Sequence, residues 1–398
     1  MNIFRQKRFL SVALGHLMID IMNGQRVVLL PFISVLMGLS NTTLGILGSF
    51  YVISAALMQP IFGWMSDRFG PKWLVAGGVL WMAGFLSLAL ILPGWVGIGF
   101  LIVASLGSGM FHPAGAAQAT LEGLRSGSGK ETVTASYFFL AGQTGYFLGP
   151  LLGGFLLNRW GTRGILLVSL IAIPIGIYSA ISLNGSRLEK SRAGGASKGQ
   201  PSRVRVGWLE IAALVVIITC QAWSQQNISS FLPKFLSDLG KPASYYGLMA
   251  SIYMGGAALG NLTAGYLGER LEKRWILVGS LGIAAIPLGL IVPLVQSGWL
   301  VPIVLWAGFC LGAAYTIAVV LGQRLIPGGM GLASGLILGF VFSSGALGVA
   351  FTGVLADAWG FERVFTMTAG IAVVGALASL LLRRQGERIE LSSTDHGE

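Results

Sequence analysis

Gly63-Trp64-Met65-Ser66-Asp67-Arg68-Phe69-Gly70-Pro71-Lys72 decides the architecture of this chain, because its pattern occurs twice. The second copy is Gly265-Tyr266-Leu267-Gly268-Glu269-Arg270-Leu271-Glu272-Lys273-Arg274, with glycine, acid, arginine and final cation at the same spacing. Working outward, Leu30-Pro31 returns as Leu232-Pro233, and Gly45 as Gly247. Gly149, Gly154 and Trp160-Gly161 return as Gly348, Gly353 and Trp359-Gly360. One such coincidence would mean little; several in the same order mean an internal duplication. Each charged copy sits between long apolar runs, so it marks a short connection between two helices.

Of the 398 residues, 54% are hydrophobic and only 10% are charged, against about 25% charged in soluble domains. So few charges cannot cover a water-facing surface, and lipid must cover most of the exterior. A span needs roughly 20 apolar residues to cross a hydrocarbon core of about 30 Å. Hydropathy and turn signals predict twelve spans, near 9–37, 44–66, 73–93, 95–120, 132–158, 163–183, 208–236, 243–267, 275–294, 299–325, 330–356 and 361–382. The chain is therefore expected to be an all-α polytopic membrane protein. An N-terminal six-helix bundle (1–183), a basic cytoplasmic linker (184–207), a C-terminal bundle (208–382) and a cytoplasmic tail (383–398) make it up. Six is an even number, so both copies enter the membrane from the same side, as parallel repeats about an axis along its normal. That architecture puts a substrate cavity between the halves, near the bilayer midplane, and leaves no room for a separate catalytic domain. Residues 1–8 run into a full-length span with no small-residue cleavage pattern, so no cleavable leader is expected.

The formal charge of +11 suggests nucleic acid until the cations are placed. With the N-terminus inside, most of the 26 Lys and Arg fall on inner segments, among them Arg5, Lys7, Arg8, Arg68, Lys72, Arg125, Lys130, Arg270 and Arg274 and the cations of 184–206. The outer side holds Arg159, Arg163, Lys234, Lys241 and Arg363. This is the positive-inside pattern, and it puts both termini in the cytoplasm. The charge is thus a topology signal, and no nucleic-acid partner is expected; the linker also suits anionic lipid headgroups. Cys220 and Cys310 fall inside expected helices and are read as small packing residues.

The loop motif resembles the signature G-x-x-x-D-R-x-G-R-K of the major facilitator superfamily, with Pro71 where a basic residue is common. The resemblance runs over nearly the whole chain and implies a transporter, not an enzyme. It assigns Gly63, Asp67, Arg68, Gly70 and Lys72 to conformational gating, with Glu269 and Arg270 as weaker counterparts. Asp67 would face the positive N-terminal end of the eleventh helix, near Gly329 to Gly331, and help close the cytoplasmic side. Ordinary charged loop residues are the competing reading. In the fifth helix, Gly145, Gly149, Pro150, Gly153 and Gly154 resemble the latter part of a motif of drug/proton antiporters, with Ser136 where another glycine is expected. Glycines four apart let backbones approach closely, and Pro150 bends its helix. Helix packing explains this stretch about as well as antiport does.

Ionisable groups inside a membrane helix are costly and usually mark substrate or proton pathways. The first helix reads Gly15-His16-Leu17-Met18-Ile19-Asp20-Ile21-Met22-Asn23-Gly24-Gln25-Arg26. His16, Asp20 and Asn23 share one helical face. Arg26 lies about 9 Å further along the axis than Asp20 and is turned away, so the helix itself does not pair them. The repeat partners of His16, Asp20 and Arg26 are Ile218, Ala222 and Ile228, so charge was added to an apolar scaffold, which favours function. His112, in Phe111-His112-Pro113 of the fourth helix, has Tyr315 as its repeat partner, and Pro113 can open a kink there. In the superfamily the first and fourth helices line the central cavity, which implies that His112 approaches His16 and Asp20. Simple hydrogen bonds to carbonyls also explain each histidine, and a structural pair with Arg26 also explains Asp20. Gln143, Gln221, Gln225, Gln226 and Asn227 fit either a cavity lining or interhelical hydrogen bonds.

The pairing of His16-x3-Asp20 with Phe111-His112-Pro113 resembles the fosmidomycin-resistance branch of the superfamily, drug exporters that exchange protons for substrate. That resemblance implies a secondary active, proton-coupled antiporter of the plasma (inner) membrane that exports a small anionic drug such as fosmidomycin. Asp20, His16 and His112 would carry the proton. Arg26, Asn23, His112, Gln143, Gln221, Gln225 and Tyr315 would hold the substrate. Protons are the coupling ion, and no cofactor or metal is expected, because no metal-spaced His/Glu cluster, Ser/His/Asp set or phosphate-cradling loop appears. A monomer is expected, since the cavity is complete within one chain. An importer or facilitator of a sugar or organic acid, and a membrane receptor on a transporter scaffold, remain open alternatives.

Overall fold

The computed structural model describes residues 5–125, 131–184, 207–325 and 330–383, and these are all-helical. The elements are α1 (Lys7–Met37), α2 (Asn41–Phe69), α3 (Pro71–Ile91), α4 (Gly94–Arg125), α5 (Glu131–Trp160) and α6 (Thr162–Ser182). They continue as α7 (Trp208–Asp238), α8 (Ala243–Leu267), α9 (Lys273–Leu290), α10 (Leu300–Leu325) and α11 (Met330–Ser379). The last run breaks at Gly360, where φ 78° and ψ 166° leave the helical region. Only glycine adopts such a conformation without steric cost. The run is therefore two spans, divided where the sequence divides 330–356 from 361–382. Gly70 does the same work at the loop motif: with φ 90° it ends α2, and Pro71 opens α3 at a position that needs no N–H.

Among the described residues, nine helices are long and apolar enough to cross a membrane, the joined pair Leu336–Ser379 counting as one. α5 and α8 are not in that set; both carry several glycines among polar side chains such as Gln143 and Asn261. Those glycines face other helices. A Cβ on Gly145 would lie 2.4 Å from the Leu17 carbonyl oxygen, and one on Gly149 would lie 2.5 Å from that of Ile21. On α8, Gly256 and Gly260 meet the Leu305 and Phe309 carbonyls of α10 in the same way. Close backbone packing replaces hydropathy as the cohesive force, since lipid offers no hydrophobic drive between helices.

The helices fall into two compact units. The first comprises α1–α6 with Ser230–Ser251; the second comprises the α7 residues up to Ser229 and everything described from Ile252 onward. Within the first, α1 packs on α5, α4, α6 and α3. Every residue from Met18 to Pro31 is buried. That enclosure is what lets α1 carry Asp20, Asn23, Gln25 and Arg26 away from lipid. In the second unit, α9 packs on α10 and α11. The expected linker residues 185–206, the tail from Arg384, Lys130 and Gly329 lie outside the described residues.

Candidate functional site

The face of α1 read from the sequence forms in the structure, and α4 and α5 complete it. His16 Nε2 lies 3.2 Å from Asp20 Oδ2, and His112 Nε2 lies 3.5 Å from Asp20 Oδ1. Both imidazoles are pinned from behind. His16 Nδ1 donates to the Phe138 carbonyl at 2.8 Å, and its ring stacks on that of Phe138 with centroids 4.0 Å apart. His112 Nδ1 lies 2.8 Å from the Ser108 carbonyl oxygen and 3.2 Å from the Ser108 hydroxyl. Room for this arrangement comes from Gly142 of α5, where a Cβ would sit 2.4 Å from His16 Nε2 and 2.8 Å from Asp20 Oδ2.

Asn23 ties the cluster to a second charged group. Its Nδ2 donates to Asp20 Oδ1 at 3.1 Å and to Ser108 Oγ at 3.0 Å, while its Oδ1 accepts from the Tyr51 hydroxyl at 2.9 Å. The Arg26 guanidinium lies over the Tyr51 ring, 4.9 Å from its centroid, with the Tyr146 hydroxyl beside it. Arg26 is only 5% exposed, pairs with no carboxylate among the described residues, and its Nε has no hydrogen-bond partner. Asp20 therefore pairs with the histidines and not with Arg26. A buried cation without a counter-ion is costly, and the cost falls when an anion arrives.

By donor type, His16, Asp20 and His112 are also the one group of three among the described residues that could take a metal ion, with donor atoms within 4.8 Å of one another. The expectation of no metal rested on chain spacing, which does not register a cluster assembled from α1 and α4.

The family model of the Major Facilitator Superfamily matches residues 12–219 and again residues 214–396, once over each repeat. The chain belongs to that superfamily. Like its other members it is a transporter and an integral membrane protein, not an enzyme. It is 27% identical over 386 residues to the fosmidomycin resistance protein of Escherichia coli (strain K12), covering 93% of this chain and 91% of that one. It is also 27% identical over 365 residues to the gentisate transporter of Corynebacterium glutamicum, covering 87% of this chain and 81% of the relative. Among solved structures, a bacterial homologue of the human lysosomal transporter Spinster, inward-facing and occupied, superposes with a TM-score of 0.78 at 16% identity, over 96% of this chain and 97% of the other. That likeness establishes the fold alone.

The remaining sequence candidates of this superfamily member divide by unit. Gln143 is exposed on α5 and contributes no hydrogen bond to the Asp20 cluster. In the second unit, Gln221 is buried and donates through Nε2 to Gln225 Oε1 and to the Leu311 carbonyl, and Tyr253 donates to the Gln225 carbonyl. Tyr315 is half-buried on α10. Asn227 donates to Thr368 Oγ1 at 3.2 Å. These are bonds between helices or along one.

Of the loop group, Gly63 lies against Pro113 of α4, and Asp67 is exposed. Arg68 lies over the Trp64 ring, and Lys72 donates to Asn184 Oδ1. Gly329, at the start of the segment expected to face Asp67, lies outside the described residues. Glu269 and Arg270 are exposed, with Arg270 over the Tyr266 ring. In the glycine run, Gly145, Gly149 and Gly153 meet α1, and Pro150 meets Gly24. Gly154 instead meets the Ala243 carbonyl at the start of α8. Sequence reasoning missed Tyr51, Ser108, Tyr146 and Gly142. Only Gly142 carries a local signal, being one turn ahead of Gly145 on the same helix face.

Proposed function

We propose that this superfamily member is a proton-coupled antiporter that exports a small anionic compound, fosmidomycin or one like it, by alternating access. It would act as a monomer in the plasma membrane, with both termini in the cytoplasm. One observation carries the reading: Asp20 is held between two imidazoles while Arg26, also buried on α1, has no carboxylate partner among the described residues. Two imidazoles against one carboxylate are groups that can hold and pass a proton, so the Asp20 cluster suits proton exchange. The guanidinium offers a planar fork of donors that matches a phosphonate or carboxylate. The likeness to the Escherichia coli fosmidomycin resistance protein supports a drug as cargo. Asp20 takes the proton from outside, His16 and His112 share it, and Arg26 receives the anion from the cytoplasm. Asp67, Arg68 and their loop partners would serve the inner gate.

The test is fosmidomycin uptake into inside-out vesicles with an acid interior, run for wild type and Asp20→Asn. In such vesicles protons leave the lumen as drug enters it. Accumulation that collapses with the gradient, and is lost in the variant, is the expected result. Accumulation that survives in the variant would remove Asp20 from the coupling step.

A second reading, import of an organic acid, is favoured by the phenol rings of Tyr51 and Tyr146 beside Arg26 and by the gentisate transporter among the relatives. Accumulation into right-side-out vesicles from an acid exterior would select it.

A further inference from the structure

We infer that His16, Asp20 and His112 form a binding site for one divalent transition-metal ion of the zinc type. The ion is held by His16 Nε2, His112 Nε2 and one Asp20 carboxylate oxygen, and a further coordination position stays open. The site stands on its geometry; only its consequence for transport rests on the proton-coupled reading above.

Donor type selects the ion. Imidazole nitrogen suits zinc, copper, iron and nickel, whereas calcium and magnesium take shells of oxygen. The three donor atoms lie within 4.8 Å of one another. A tetrahedral zinc ion with bonds of about 2.0–2.2 Å holds its ligands about 3.3 Å apart, and the two imidazole–carboxylate separations are 3.2 and 3.5 Å. The widest separation in the set must narrow on binding, and His112 has the room to move. Its side chain is 30% exposed, against 4% for His16 and 7% for Asp20. The same exposure gives the ion an entry path. One carboxylate leaves the ion with a net positive charge, so the open position favours an anion over water.

The surroundings are those of a metal site. Ligating imidazoles turn their other nitrogen to a carbonyl, a carboxylate or water, and ligating carboxylates are themselves hydrogen-bonded. All three side chains have such an outer partner. His16 Nδ1 lies 2.8 Å from the Phe138 carbonyl oxygen, and His112 Nδ1 lies 2.8 Å from the Ser108 carbonyl oxygen and 3.2 Å from the Ser108 hydroxyl. Asp20 Oδ1 accepts from Asn23 Nδ2 at 3.1 Å. An ion on Nε2 puts each ring proton on Nδ1, where these oxygens accept it, whichever form the ring had beforehand. Gly142 keeps the donor atoms uncovered on the side of α5. A Cβ there would stand 2.4 Å from His16 Nε2 and 2.8 Å from Asp20 Oδ2. Two helices thus supply the ligands, α1 giving His16 and Asp20 and α4 giving His112, and the ion would bridge them.

Binding is tested on the purified full chain in detergent, without a polyhistidine tag, by calorimetric titration with zinc and by the visible spectrum of cobalt used in its place. One ion per chain is expected, with the strong absorption of a four-coordinate cobalt centre and a higher unfolding temperature when metal is added. His112→Gln should weaken binding by more than about a hundredfold, because losing a ligand exceeds the ten- to hundredfold that losing an outer partner costs. Its unfolding temperature without metal checks that the variant is folded. The chain has 3 histidines, the third being His396, and His396→Gln should bind as wild type does. No binding at micromolar zinc would overturn the site. So would binding that survives in His112→Gln, binding lost in His396→Gln, or calcium bound as tightly as zinc. The consequence for transport is read separately, in inside-out vesicles with free zinc held by a chelating buffer. Gradient-driven fosmidomycin accumulation should fall as the site fills. Zinc bound at the three side chains with accumulation intact would support the metal site and remove these residues from the proton-coupled step.

Discussion

Gly142→Ala places a methyl group where the proton site has none to spare. The added Cβ would lie 2.4 Å from His16 Nε2, 2.5 Å from its Cε1 and 2.8 Å from Asp20 Oδ2. The imidazole cannot swing aside cheaply, because the Phe138 carbonyl holds Nδ1 at 2.8 Å and the Phe138 ring covers one face. Overpacking costs about 1–3 kcal/mol, and a lost hydrogen bond to a charged group costs about 1.5–3 kcal/mol. These overlap, since moving the ring relieves the clash by breaking the bond. A net penalty of about 2–4 kcal/mol on the closed cluster follows, which is about thirty- to several-hundredfold in its population. The assay is gradient-driven accumulation in vesicles, beside thermal unfolding of the purified protein in detergent. Gly84→Ala is the control, since a Cβ there meets nothing within 4 Å. Shortening the ring in a Gly142→Ala/His16→Ala double variant should recover stability but not accumulation, as expected for two neighbours that share one clash. Accumulation and unfolding both at the wild-type level in Gly142→Ala would refute the geometry.

Three further outcomes follow from named contacts. Tyr51→Phe keeps the ring under Arg26 but leaves Asn23 Oδ1 buried without a donor. It should cost about 1–3 kcal/mol, seen as a lower unfolding temperature. Arg26→Lys keeps the charge but loses the planar fork, so the KM for an anionic substrate should rise about tenfold or more. Uptake kinetics at fixed pH difference check this. Gln221→Leu removes the bond to the Leu311 carbonyl and should lower stability by about 0.5–1.5 kcal/mol. If KM moves instead of stability, Gln221 lies in the substrate path and its interhelical bond is secondary.

The sequence by itself determined the class of this protein, through low charge, span-length apolar runs and the doubled Gly63–Lys72 motif. It also determined which residues share a face of α1, because helical neighbours at three and four positions are fixed by local geometry. His16, Asp20 and Asn23 were legible for that reason. The choice of partners was decided only by tertiary structure. Asp20 had three possible partners, His16 and Arg26 on its own helix and His112 on α4, and the packing of α1 against α4 added His112 to His16 and left Arg26 apart. The same packing put Tyr51 under Arg26 and brought Gly142 against His16, contacts that no spacing within one helix encodes. The backbone contacts of the two rings were likewise invisible in the sequence. They are made to carbonyl oxygens, which every residue carries and only the fold aims.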